Sequence, residues 1–506
     1  MFDIRKIFDF IKKNFAAYDV VVILILVVAY FATRLINLDK WPIFSDEGIY
    51  IRWAKVAWHD PNWRFISVTD GRQPLQTWAT IPFLKIFPDN ALLAGRLFSV
   101  TTGFIGLLGM FSLVFYLWGK RAALIATTFF VFIPYLIFYD RIALVDSTVN
   151  AGFIWILFFS ILLVRTRRLD IALIMGFIGG FALLAKSSSR MFLMLAATAP
   201  VLIFDLKRKV ESTVQSLNYY ILLGIAFGIS LFFYNVQRLS PFFHYVALKN
   251  TTFVMTFEEF LKTPFAYVHN FRYIPLYITW EAGFVIVPFS IVGLFLLFKK
   301  DFRFFLYLMI FIIAPYIAIG FFAKILFPRY VIFYASILII TATYALMQIK
   351  NLKTRNLMLA LIVASMLVFD YPLIFNPSRA SFPEVDRGQY VEGVTAVWGA
   401  QDLMELMRVR SHEKPVLILA EGNFGLVADV LDVFLKEGDK IEIKGLWPLD
   451  EKDLYEYQPE LAKRQVYVVF SHRTEFPESW PIELVKKYEK PGGKEALYLF
   501  KLHEAK

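Results

Sequence analysis

The stretch Ser45-Asp46-Glu47-Gly48-Ile49-Tyr50 places two adjacent carboxylates just beyond the first long apolar run, Val20 to Leu38. A run of that length crosses the hydrocarbon core of a bilayer as one helix, so the acid pair falls at the rim of a membrane. A carboxylate held there can take a proton from a hydroxyl acceptor while the membrane delivers a lipid-borne reactant. The alternative is a pair of solvated loop acids, and position alone does not separate the two.

Cations supply the second half of the pattern. On the acid pair's side of the membrane the short loops hold Arg141, Lys186, Arg190, Lys324 and Arg329. Positive groups beside membrane helices generally have partners, and acids in these loops are few. The expected partner is therefore an anionic ligand, and the arginine fork suits phosphate. Snorkelling or salt bridging is the alternative for each one singly. Two more loops hold chemistry-bearing side chains. Tyr139-Asp140-Arg141-Ile142-Ala143-Leu144-Val145-Asp146 carries two acids, which also suit ordinary capping. In Thr69-Asp70-Gly71-Arg72-Gln73-Pro74-Leu75-Gln76-Thr77-Trp78, Gly71 and Pro74 mark a turn and Trp78 suits an interfacial anchor. The chain has no cysteine, which excludes disulfides, thiolate catalysis and cysteine zinc sites.

The elements that must position these groups are membrane helices. The 506 residues are 58% hydrophobic and 18% aromatic, beyond the range of a soluble domain, and the apolar runs recur at membrane length. The first run is too long for a signal-peptide core and is expected to stay as an anchor. Eleven helices are expected: Val20–Leu38, Ala91–Trp118, Ala122–Phe138, Ser147–Val164, Ile171–Ala185, Met191–Phe204, Leu217–Val236, Glu281–Phe298, Phe304–Phe322, Tyr330–Met347 and Leu357–Phe375. Basic residues cluster in the tail (Arg5, Lys6, Lys12, Lys13) and in alternate loops: Lys120-Arg121, Arg165/Arg167/Arg168, Lys207-Arg208-Lys209, Lys299-Lys300/Arg303 and Lys350/Lys353/Arg355. The positive-inside rule makes these cytoplasmic, with the N-terminus inside and the C-terminus outside. The net charge of +11 thus belongs to membrane topology, and no nucleic-acid partner is expected.

Residues 1–375 then form the membrane domain, with extracytoplasmic loops at 39–90 and 237–280, and 376–506 a separate extracytoplasmic domain. In that tail Pro415–Ala420, Lys440–Leu446, Val466–Ser471 and Ala496–Lys501 read as strands. Helical patterns at Val397–Arg410 and Phe424–Glu437 complete a small α/β domain. The turn Glu421-Gly422-Asn423-Phe424-Gly425 lacks dinucleotide-fingerprint spacing, so its glycines are read as permitting a turn. Ile171–Ala185 and Met191–Phe204 are short for full crossings, which would sink Lys186-Ser187-Ser188-Ser189-Arg190 into a cavity.

The first outer loop resembles that of the GT-C membrane glycosyltransferases, in the branch of protein O-mannosyltransferases and lipid A aminoarabinose transferases. The resemblance is carried by Asp46-Glu47 after the first helix and by Arg72-Gln73-Pro74-Leu75 with Trp78, which is similar to the family's Pro-Pro-Leu segment. Arg96, Arg141 to Asp146, Leu184-Ala185-Lys186 and Pro328-Arg329-Tyr330 also fit, so coverage runs over about residues 15–375. Gln73 stands where the family has the first proline of its pair, and the preceding histidine is missing. The acceptor is thus open among glycan, lipid and protein. No Trp-Trp-Asp or Asp-x-Asp occurs. The first absence separates the chain from the oligosaccharyltransferase catalytic subunit, and the second argues against a metal-bound nucleotide-sugar donor.

The resemblance implies an inverting transferase that moves a sugar from a polyprenyl-phosphate donor to a hydroxyl acceptor at the outer face of the cytoplasmic membrane. It implies Asp46 as general base, with Glu47 orienting it or binding sugar. It implies substrate contacts from Arg72, Gln73, Arg96, Arg141, Asp146, Lys186, Arg190, Arg329 and Tyr330. No cofactor is implied beyond the lipid-phosphate sugar donor, and a divalent metal is open but not indicated. The competing class is a transporter or flippase for lipid-linked sugars. Transporters generally show internal hydropathy symmetry, and none is evident between residues 1–190 and 191–375.

Overall fold

A computed structural model describes residues 14–504 except 424. The first apolar helix, α1 (Ala17–Leu35), leads through a short strand, β1 (Ile43–Phe44), into α2 (Ser45–His59) and α3 (Leu75–Ile86). There follow α4 (Ala91–Trp118), α5 (Lys120–Phe132), α6 (Pro134–Asp140), α7 (Asp146–Thr166), α8 (Leu169–Ala185), α9 (Arg190–Ala196) and α10 (Lys209–Asn235). Two small helices, α11 (His244–Phe253) and α12 (Phe257–Lys262), precede α13 (Asn270–Glu281), α14 (Ile286–Lys300), α15 (Phe302–Phe322), α16 (Phe333–Met347) and α17 (Leu352–Phe375).

Among the described residues six helices are long and apolar enough to cross a membrane, or eight if each of two bent pairs is one span. The expected count of eleven is not reached on that measure. The run Ala122–Phe138 is two helices, α5 and α6, bent by 60° where Pro134 interrupts the ladder. A proline has no N–H to give the carbonyl four residues back. Arg34 answers the break, donating through Nη2 to that carbonyl, Phe130 O, at 3.1 Å. Met191–Phe204 is not one helix either: α9 stops at Ala196, and Ala199–Leu202 with Pro200 is a 3₁₀ turn. The α13–α14 pair is bent by 112°. The tail residues Arg5, Lys6, Lys12 and Lys13 lie outside the described residues.

After α17 the chain runs through α18 (Glu384–Arg387), β2 (Ala396–Val397), α19 (Ala400–Ser411), β3 (Val416–Glu421), α20 (Val427–Val433), β4 (Ile441–Leu446), α21 (Glu451–Glu456), β5 (Gln465–Phe470), β6 (Ile482–Glu489) and β7 (Ala496–Leu502). The sheet order is β4-β3-β5-β7-β6, parallel across the first three strands and antiparallel across the last two pairings. Strands β3 and β5 are almost wholly buried, as expected of parallel strands covered on both faces. The glycines of the turn after β3 do permit it, with φ of 86° at Gly422 and 83° at Gly425.

This sheet region is clasped to the helix that carries the acid pair. β1 pairs antiparallel with β2, and Ser45 N donates to Thr395 O at 3.0 Å. Helix α20 lies against α2 so closely that a Cβ on Gly48 would meet Val430 Cγ2 at 2.9 Å. Arg52 Nε binds Asp432 Oδ2 at 2.8 Å, and Lys55 Nζ donates to Asp432 O at 2.6 Å. The start of α2 is thus fixed by segments some 350 residues downstream in the chain.

Candidate active site

Asp46 and Glu47 both stand in the first turn of α2, where the free N–H groups and the helix dipole favour carboxylates. Their neighbours separate them completely. Glu47 is fully buried and its oxygens are occupied: Phe44 N donates at 3.0 Å, Ala143 N at 2.7 Å, and Arg96 at 2.9 and 2.8 Å. Arg96, equally buried, spends its remaining N–H groups on Leu38 O, Trp41 O and Pro42 O. The pair locks α2 to α4 and to the loop after α6. Both side chains are fully enclosed by protein contacts.

Asp46 is about a fifth exposed, with 21% of its side chain accessible, and two arginines hold it. Arg72 Nη2 donates to Oδ1 at 3.0 Å and Arg329 Nη2 to Oδ2 at 3.1 Å. Burial works to raise this carboxyl, but the charges of Arg72 and then Arg329 outweigh it and hold its pKa at about 2. Each arginine is fixed from behind. Arg72 Nε binds Asp70 Oδ2 at 3.0 Å, and Asp70 in turn binds Lys249 at 2.8 Å. Arg329 lies against the rings of Phe44, Phe327 and Tyr330, and its Nη1 donates to Tyr390 Oη at 3.4 Å. Tyr330 also supports Lys186, whose Nζ lies 4.1 Å from the ring centre and 3.2 Å from Asp146 Oδ1. Asp46, Arg72, Arg329, Tyr330, Lys186 and Asp146 therefore form one connected group.

Other expected site residues stand outside this connected group. Arg141 is buried and donates to the carbonyls of Thr33, Arg34, Ile36 and Asn37, which closes the C-terminal end of α1. Arg190 is exposed on α9 with its guanidinium over Tyr234. Gln73 is buried, and its Nε2 has no partner among the described residues. Salt bridging, the alternative for each cation taken singly, is what three of them show: Arg329 has Asp46, Lys186 has Asp146, and Lys324 binds Glu259 at 2.8 Å. Sequence reasoning also missed Tyr390, Phe44, Asp70 and Lys249. Only the place of Asp70 beside Arg72 offered a signal. Among the described residues no three or more His, Asp or Glu side chains group to hold a metal ion.

Asp46 is thus an ionised carboxylate in a partly open site, held by two arginines, with the Lys186–Asp146 pair joined to it through Tyr330. This arrangement can move a proton and hold an anion at adjacent positions. The family model for dolichyl-phosphate-mannose-protein mannosyltransferase matches residues 71–234. The crystal structure of ArnT from Cupriavidus metallidurans in the apo state is similar over 95% of this chain and 97% of that one, with TM-score 0.61 at 14% identity. The same enzyme bound to undecaprenyl phosphate is similar over 96% and 98%, with TM-score 0.59 at 14% identity. The oligosaccharyltransferase of Archaeoglobus fulgidus, tethered with an acceptor peptide, is similar over 95% of this chain and 74% of that one, with TM-score 0.52 at 13% identity. No curated protein matches in sequence. The chain has the GT-C fold of membrane glycosyltransferases. Within that class its match is to a mannosyltransferase family model, and with its apolar helices it is an integral membrane protein.

Proposed function

We propose that the protein is an inverting glycosyltransferase that moves a sugar from a polyprenyl-phosphate donor to a hydroxyl acceptor at the outer face of the cytoplasmic membrane. The observation that carries this reading is Asp46 gripped between Arg72 and Arg329, at 3.0 and 3.1 Å, just past the first apolar helix. The likeness to an enzyme solved with undecaprenyl phosphate supports the donor class. The alternation of basic loops supports a cytoplasmic N-terminus and an external C-terminal domain spanning 376–506.

In this mechanism the polyprenyl chain lies between helices and the donor phosphate is held by Arg329 and Lys186, with Arg190 as an outlying contact. An acceptor hydroxyl gives its proton to Asp46 as its oxygen bonds to the anomeric carbon. The bond from that carbon to the phosphate oxygen breaks on the opposite face, so configuration inverts, and the leaving phosphate takes the electron pair. A carboxylate held at a pKa of about 2 is a weak base. When Arg329 turns to the donor phosphate, Asp46 keeps only Arg72 and its basicity recovers. The base thus becomes competent as the donor arrives. Glu47, Arg96 and Arg141 act as positioning residues, through the buried contacts they make.

The test is transfer by purified, reconstituted protein from synthetic polyprenyl-phosphate mannose or glucose to glycan, lipid and peptide acceptors, with products read by mass spectrometry. Asp46→Asn keeps shape and removes the base, so turnover should fall by about 10²–10⁴ while donor still binds. Turnover within a few-fold of the parent would reject Asp46, and Asp146 becomes the carboxylate to test.

A further inference from the structure

One face of α3 does not behave like a structural helix face. Gln76, Thr77 and Thr80 lie on α3 at helical spacing, with Gln73 in the loop two residues before the helix, all buried, where α3 packs against α2 and α4. Gln76 is 1% exposed, and neither its Nε2 nor its Oε1 has a partner among the described residues. Thr77 Oγ1, Gln73 Nε2 and Ser67 Oγ, in the 3₁₀ turn just before, share that state. Buried polar atoms without partners are costly, and an interface serving only packing would carry leucine or alanine. The far end of the face shows the ordinary solution, since Thr80 Oγ1 satisfies itself on Gln76 O at 2.8 Å. The unpaired atoms gather at the other end, which begins one residue after Arg72, the residue that holds Asp46 at 3.0 Å.

We propose that this end of α3 is a subsite that reads the hydroxyls of a sugar ring at the reaction centre. A glutamine amide offers one donor group and one acceptor, the pattern that matches two adjacent hydroxyls. Thr77 and Gln73 add a further hydroxyl and N–H. Such a site rejects a ring that lacks its hydroxyls, because the protein groups are then left unpaired. The inference rests on the transferase reading. The ring belongs to the donor or to the acceptor, and both place hydroxyls beside Asp46.

The experiment uses Gln76→Leu, close in volume with both polar atoms removed, and Thr77→Val, close in shape. Each is assayed with polyprenyl-phosphate mannose and glucose and their monodeoxy analogues, and with hydroxylated and deoxygenated acceptors. Thermal unfolding is followed in parallel. A subsite predicts opposite signs: the melting temperature rises, while kcat/KM for the fully hydroxylated substrate falls at least tenfold. Discrimination against one deoxy analogue should also collapse. Collapse in the donor series assigns the ring to the donor, and collapse in the acceptor series assigns it to the acceptor. Unchanged kinetics and discrimination in both variants, with the parent active, overturn the subsite and leave the transferase reading standing. A parent that transfers from no polyprenyl-phosphate sugar overturns both.

Discussion

Replacing Arg96 with methionine separates positioning from chemistry at the acid pair. Arg96 and Glu47 are both fully inaccessible, and their charges meet through hydrogen bonds of 2.9 and 2.8 Å. Removing the arginine strands a buried carboxylate and frees the carbonyls of Leu38, Trp41 and Pro42. Breaking a buried pair from one side costs about 3–5 kcal/mol. Glu47→Gln should cost a similar amount, about 3–5 kcal/mol, because one of the two oxygens becomes an NH2 that faces the N–H of Phe44 or Ala143, and the buried Arg96 loses its counter-charge. The assay is denaturant or thermal unfolding in detergent, with turnover measured on the fraction that remains folded. Both variants should lose stability, and their folded fractions should retain most of the parent's turnover. Full stability with turnover reduced a hundredfold in Glu47→Gln would refute the argument and make Glu47 a reacting group.

Two further outcomes follow from contacts around the clamp. Lys186→Met leaves Asp146, 4% exposed, without its ion partner and removes one expected phosphate ligand. Donor KM should therefore rise at least tenfold while acceptor KM moves little, read by steady-state kinetics with each substrate varied. Gly48→Ala drives a methyl to within 2.9 Å of Val430 Cγ2 and 3.2 Å of its Cα, so α20 must back away from α2. That overpacking should cost roughly 1–3 kcal/mol and speed proteolysis within 376–506, followed on gels.

How much of this was legible beforehand differs from residue to residue, for physical reasons. Apolar runs report membrane helices well, and Ala91–Trp118 agrees at both ends. They do not report where a run bends, as at Pro134, or where it decays into 3₁₀ turns, as around Pro200. Asp46 and Arg329 were both marked by type and position. That they touch, across 283 residues, is a property of packing and not of spacing. Glu47 shows the limit most clearly. Beside Asp46 in sequence and equal to it in chemistry, it points the other way round the helix into Arg96, and only the fold distinguishes them. Tyr390 was invisible because a tail tyrosine carries no signal until β2 draws its segment against β1. Strand β6 was missed because an edge strand with Lys486 and Lys487 and a register shift near Leu484 lacks clean alternation.

The arginine clamp also makes a prediction about pH in which sign and window are both set. With Asp46 lowered to about 2 in the folded protein, its ion pairs stabilise the fold above the ordinary carboxylate range. That contribution fades between about pH 4, where the unfolded group titrates, and about pH 2. Arg329→Gln removes one of the two charges, which is worth about one to two pH units at the carboxyl. The variant should therefore lose acid stability at higher pH than the parent. Kinetics carry the sharper test, because kcat/KM reports ionisation in the free enzyme and kcat reports it in the complex. If the donor phosphate draws Arg329 away, the acid limb of kcat in the parent lies at higher pH than that of kcat/KM. In Arg329→Gln the free enzyme already has the weaker clamp, so the two limbs converge while donor KM rises. Superimposed limbs in the parent would mean that Arg329 stays on Asp46 through turnover, and that the donor phosphate is held by other groups.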